Sequence, residues 1–89
     1  MAQPFELEIL TPDRRVFKGT VTSLVAPGEI GYLGVLANHA PLTTTLVPGK
    51  VVYRDSAGSP TTLWVKGKGF LEVYKNHATV LADEVSASS

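Results

Sequence analysis

The sequence predicts an all-β fold, a flattened β-sandwich of two antiparallel sheets built from about eight to ten short strands. Three observations predict it. Apolar residues recur with a period of two, as in Phe5-Glu6-Leu7-Glu8-Ile9. Val, Ile and Thr make up 22 of the 89 residues, a composition suited to pleated surfaces. Turn residues punctuate the chain at close spacing, and no window carries an amphipathic helix.

The elements follow in order. Phe5 to Ile9 reads as a half-buried strand, ended by Thr11-Pro12-Asp13. Val16-Phe17 opens a second strand, with a bulge or bend expected at Gly19, and Val21 to Ala26 continues it. Pro27-Gly28 reads as a turn. Glycine then recurs as Gly28, Gly31 and Gly34 around Ile30, Leu33 and Val35, a glycine-hinged segment. Ala40-Pro41 leads into Leu42 to Leu46, and Pro48-Gly49 is another turn. Val51 to Tyr53 is a strand, and Asp55 to Pro60 is an exposed hairpin loop. Three further strands are Thr62 to Val65, Phe70 to Tyr74 and Ala78 to Ala82. Gly67-Lys68-Gly69 and Lys75-Asn76-His77 join them. Residues 1–4 and 84–89 are expected to fray around one domain spanning 1–89.

Composition narrows the function. Eight basic and eight acidic residues cancel. Nucleic-acid affinity rests on clustered Lys and Arg, so neutrality argues against such a partner and against anionic lipid. No apolar run approaches the roughly 20 residues of a membrane helix, and Met1 to Pro4 shows no secretory signal. Without cysteine, neither a disulfide nor a thiolate metal site is available.

Reactive constellations are weak. Glu6 and Glu8 share one strand face about 7 Å apart, but read as an alternating solvent face. His39 and His77 are the only histidines, short of the three or four ligands zinc wants. The glycine ladder has no following helix and no Lys-Ser or Lys-Thr pair to cradle phosphate. Lys66 and Lys68 beside Trp64 and Phe70 are too few for a single-strand platform. Neither catalytic residues nor a cofactor or metal is expected, which leaves a binding or assembly module.

The segment Gly31-Tyr32-Leu33-Gly34-Val35, followed by His39-Ala40-Pro41-Leu42, resembles the signature of the epsilon subunit of the F-type ATP synthase. Pro48-Gly49, the Gly69-to-Val73 stretch and the Ala78-to-Asp83 stretch fit the same family in order and spacing. The resemblance runs from Phe5 to Asp83. It implies the subunit's N-terminal β-sandwich, a non-catalytic piece of the central rotor that joins the gamma subunit to the membrane c-ring. It also implies a single copy per complex and a peripheral place on the cytoplasmic, stromal or matrix face of the coupling membrane. The loop Glu29, Ile30, Gly31, Tyr32 and Leu33 is expected to face the ring. Thr11, His39 and Thr44 are expected to face gamma. Gly28, Gly34, Pro41, Pro48 and Gly49 are expected to shape turns. Many relatives carry an acidic residue where this chain has Tyr32, so Glu29 is the expected charge and Tyr32 an aromatic anchor. The C-terminal helical hairpin of many relatives, with its inhibitory role and nucleotide site, is expected to be missing. The competing reading is a carrier domain, but no Met-Lys-Met or Asp-Lys marks a modifiable lysine. Other protein-binding modules share the architecture.

Overall fold

The computed structural model describes residues 2–89. Eight strands form, and no helix is present among these residues: β1 (Phe5–Thr11), β2 (Arg14–Val21), β3 (Ser23–Gly28), β4 (Gly31–Val35), β5 (Leu42–Leu46), β6 (Gly49–Arg54), β7 (Pro60–Tyr74) and β8 (His77–Ser86). The all-β sandwich and the strand number are as the sequence predicts.

The pairing is less simple than two separate sheets. One layer runs β2-β1-β8-β7-β5, using the Ala78 end of β8 and the Leu71 end of β7. The other runs β4-β3-β6-β7-β8, using the opposite ends of the two long strands. β7 and β8 therefore belong to both layers, and the hydrogen-bonded path is continuous. Gly28 also pairs with Leu46, which links β3 to β5. β1 and β8 run parallel, against the all-antiparallel expectation. These two strands lie at opposite ends of the sequence, so no hairpin dictates their direction.

The crossover explains one misplaced boundary. Gly67-Lys68-Gly69 does not separate two strands but forms a bulge in one, where the β7–β8 register shifts between Lys66 and Gly69. Gly67 sits at φ +75°, which β-bulges of this kind require of their first residue. A strand that passes from one layer to the other turns its corner through such an irregularity.

Other boundaries shift for local reasons. Thr22 interrupts the expected run from Val21 to Ala26; its N–H donates to Arg54 O at 2.8 Å as the chain changes layers. The bulge or bend expected at Gly19 falls at Val16 instead, as a bulge, since Ile9 faces Phe17 and Leu10 faces Arg15. Gly19 pairs regularly with Leu7 beneath the Phe17 ring. Pro27 and Gly28 end β3 rather than turn, because the carbonyl of Pro27 accepts from Val47 N at 2.9 Å. Glu84 to Ser86, expected to fray, extend β8 opposite Lys66 to Trp64, with Val85 buried. At the other end, Asn38 Nδ2 donates to Gln3 Oε1 and Asn76 Nδ2 to Pro4 O, so both residues are tied down; Met1 lies outside the described residues.

Alternation fills the core from both layers. Phe5, Leu7 and Ile9 point in from β1, and Leu71 and Val73 from β7. Leu24 and Ala26 come from β3, and Val51 and Tyr53 from β6. The buried phase of β8 passes from Ala78, Val80 and Ala82 to Val85, as the strand changes layer. Phe17 covers the Tyr53 ring at a centroid distance of 4.4 Å. Glu6 and Glu8 lie on the other face of β1, where Glu6 accepts from Thr20 and Glu8 from Arg15.

Gly34 departs from its expected role. It lies inside β4, exposed, at an ordinary negative φ, and a Cβ there would approach only Leu24 O at 4.0 Å. Gly34→Val is therefore expected to change stability by no more than about 0.5 kcal/mol, as at most exposed positions. Chemical denaturation checks this; a loss above about 1.5 kcal/mol contradicts it.

Candidate functional site

The β3–β4 hairpin carries most of the residues expected to face the ring. Five residue pairs join its arms, from Leu24–Val35 to Gly28–Gly31, and Glu29-Ile30 makes the turn. Gly31, at φ +135°, carries the chain out of that turn through backbone space that L side chains rarely enter. Ile30 at the tip is 105% exposed, so its side chain has no packing partner within the chain. Isolated apolar residues on a surface are ordinary; this one stands at the end of a five-pair ladder.

Beside the hairpin lies an open hollow of about 660 Å³. Every residue from Gly28 to Gly34 lines it, with His39, Leu42 and Thr44 opposite. The hollow is the lateral flank of the sandwich, between the last strand of one layer, β4, and the last strand of the other, β5. The loop 36–41 joins these two strands and carries His39 and Pro41. Asn38 stands at φ +62°, and its N–H donates to Asn76 Oδ1 at 2.7 Å, which fixes the loop to the β7–β8 turn. The half-buried His39 donates from Nδ1 to Ala40 O at 2.7 Å, so in the neutral ring Nε2 is the free acceptor.

The structure thus brings together the residues expected to face the ring and two of the three expected to face gamma. The third stands apart. Thr11 lines a different hollow with Asp13, Arg14, Asp83, Glu84 and Val85. Its hydroxyl donates to Asp13 Oδ1 at 2.9 Å within the β1–β2 turn. Of the expected turn residues, Gly28 closes the ladder of β3. Pro41 and Pro48 lie between strands, and Gly49 begins β6.

Leu42 is a lining residue that the sequence reading did not single out. A second unassigned feature is an outward apolar row across three strands, Leu10, Leu81 and Phe70, paired side by side. Phe70 is 54% and Leu81 43% exposed. The signal was present in the sequence: Phe70-Leu71 are adjacent, and in a strand adjacent apolar residues must face opposite ways.

The hollow is unsuited to phosphate, because its one formally charged lining residue is the carboxylate Glu29. Among the described residues, no three of His, Asp and Glu gather as metal ligands. Nor, among the described residues, is any helix long and apolar enough to cross a membrane.

Fold and flank together define a small β-sandwich whose distinguishing surface is a projecting hairpin beside an open edge. The chain matches the β-sandwich domain of the ATP synthase delta/epsilon chain over residues 4–88, and it belongs to that family, a non-catalytic one. It is 45% identical over 89 residues to the ATP synthase epsilon chain of Dichelobacter nodosus, covering all of this chain and 62% of that one. With the ATP synthase epsilon chain of Brucella anthropi it shares 40% over 86 residues, 97% of this chain and 63% of the other. The chain thus spans just over three-fifths of the length of these curated relatives. Two solved assemblies contain chains of the same fold. One is the mitochondrial ATP synthase OSCP/F1/c-ring of Euglena gracilis, with TM-score 0.83 and 21% identity over 89% of this chain and 50% of that one. The other is the central stalk/c-ring of the Tetrahymena thermophila mitochondrial enzyme, with TM-score 0.76 and 14% identity over 94% and 66%.

Proposed function

We propose that this domain is a non-catalytic rotor element of a proton- or sodium-translocating ATP synthase, present once per complex and coupling the gamma subunit to the c-ring. In this reading the Glu29-to-Leu33 hairpin meets the ring, and the flank bearing His39 and Thr44 meets gamma. Thr11 belongs to the same gamma-facing surface only if that contact extends to the β1–β2 turn. The domain sits peripherally on the cytoplasmic, stromal or matrix face, held by protein contacts rather than by lipid or nucleic acid. Family membership supports the reading, and so does the kind of assembly in which chains of this fold are found.

The observation that carries it is Ile30, an apolar side chain left wholly in water at the end of a braced hairpin. A rotor contact must hold under torque, and a few anchor residues buried on binding supply most of the energy of a protein interface. Ile30→Ser is expected to weaken capture of the chain by a gamma–c-ring assembly about tenfold. Its unfolding midpoint should not move, since the side chain has no intramolecular contact. Titration of the labelled chain against the assembly measures this, and unchanged affinity removes the hairpin from the interface.

A further inference from the structure

We infer that Tyr32 is the positioning residue of the hairpin, a brace that holds the docking tip in one pose before any partner arrives. The sequence reading treats Tyr32 as an aromatic contact anchor on the ring-facing loop. The geometry points elsewhere. Tyr32 pairs with Pro27 across β3 and β4, and its hydroxyl reaches β6, where it accepts from Lys50 N at 3.3 Å. A Cβ on Gly49 would stand 2.9 Å from Pro27 Cβ and 3.0 Å from Tyr32 Oη. Proline and phenol therefore occupy the space above Gly49, and the missing side chain there is what lets them settle.

Two amides that flank Pro48-Gly49 are held by this one cross-strand pair. Val47 N donates to Pro27 O at 2.9 Å, and Lys50 N donates to Tyr32 Oη. The hairpin is thereby tied to the 47–50 segment at two points. Among the described residues, the phenol makes the hairpin's one side-chain hydrogen bond to another element. Ile30 lies two residues from Tyr32, so a brace at Tyr32 limits the swing of the tip. Holding a contact residue in its bound pose lowers the ordering cost of association. That purpose rests on the rotor reading, but the brace itself does not.

Amide hydrogen exchange of the 89-residue chain tests the brace. In Tyr32→Phe only the hydroxyl is lost, and with it the acceptor for Lys50 N. Lys50 N–H should then exchange roughly fivefold faster while the hairpin keeps its protection. In Tyr32→Ser and in Gly49→Ala the packing is lost from either side. Hairpin amides from Gly28 to Leu33 should exchange at least about tenfold faster, with Leu71 and Val80 unchanged. Equal hairpin exchange in all four proteins overturns the inference, and so does acceleration that spreads equally to Leu71 and Val80. Tyr32→Ser removes atoms from a side chain that is 56% exposed, so the test survives if Gly49→Ala fails to fold. Ile30→Ser leaves the brace intact; its effect on capture reports the rotor reading alone.

Discussion

Leu71→Ala is expected to lower the unfolding free energy by about 3–4 kcal/mol, while Leu81→Ala costs under about 1 kcal/mol. The two leucines differ in the direction they face. Leu71 is fully buried on β7, between Thr44 of β5 and Val80 of β8. Truncation there removes buried methyl groups and leaves a cavity that two flanking ladders cannot close. Leu81 stands on β8 opposite Phe70, on the outer face. A domain of this size has roughly 5–13 kcal/mol of stability in total, so the Leu71 variant loses a large share of it. The melting temperature should fall by some 15 °C or more. Urea denaturation with an unchanged slope separates a true stability loss from an altered unfolded state. Equal losses in the two variants would mean that the registers of β7 and β8 are wrong, because a one-residue slip exchanges the inner and outer faces.

That dependence on alternation is why so much of the architecture was readable beforehand. Phe5, Leu7 and Ile9 fall inward wherever the strand lies, since period two needs no knowledge of the neighbour. The hairpin tip was legible only in part. The glycine-hinged segment was in place, but the turn expected at Pro27-Gly28 falls at Glu29-Ile30, because Pro27 and Gly28 pair with Tyr32 and Gly31. What stayed hidden depended on distant partners. Gly67-Lys68-Gly69 has the composition of a turn and of a bulge alike, and only its register with Lys66, Gly69, Ala82 and Glu84 decides between them. Val85 sits among small polar residues, and nothing local announces that Val65 pairs with it. The role of Tyr32 depends on Gly49, which lies beyond the next strand in sequence. Thr11, His39 and Thr44 were grouped by family resemblance rather than by geometry. The fold keeps the last two together and places Thr11 at another hollow.

Gly69→Ala is expected to cost about 2–3 kcal/mol, although it adds a single methyl group. A Cβ at Gly69 would lie 2.8 Å from Leu81 O, and 3.4 Å from both Cα and Cβ of Ala82. The nearest obstacle is backbone, so no side-chain rotation relieves the contact. The β7–β8 ladder must spread where both strands change layer, and Gly69–Ala82 is the first pair past the bulge. Gly67 nearby is a different case. Its Cβ would meet the Asp83 carboxylate, which can move aside, and its cost comes mainly from φ +75°. An alanine there should lose about 1–2 kcal/mol. The expected order of loss is therefore Gly69→Ala, then Gly67→Ala, then Gly34→Val near zero, read from denaturation midpoints. Amide exchange should add a local signature in Gly69→Ala, with faster exchange at Lys66 and Ala82 than at Leu7 or Leu24. If Gly69→Ala proves as mild as Gly34→Val, the two layers are not joined through a close backbone crossing. The stiffness of the domain would then have to come from the core alone.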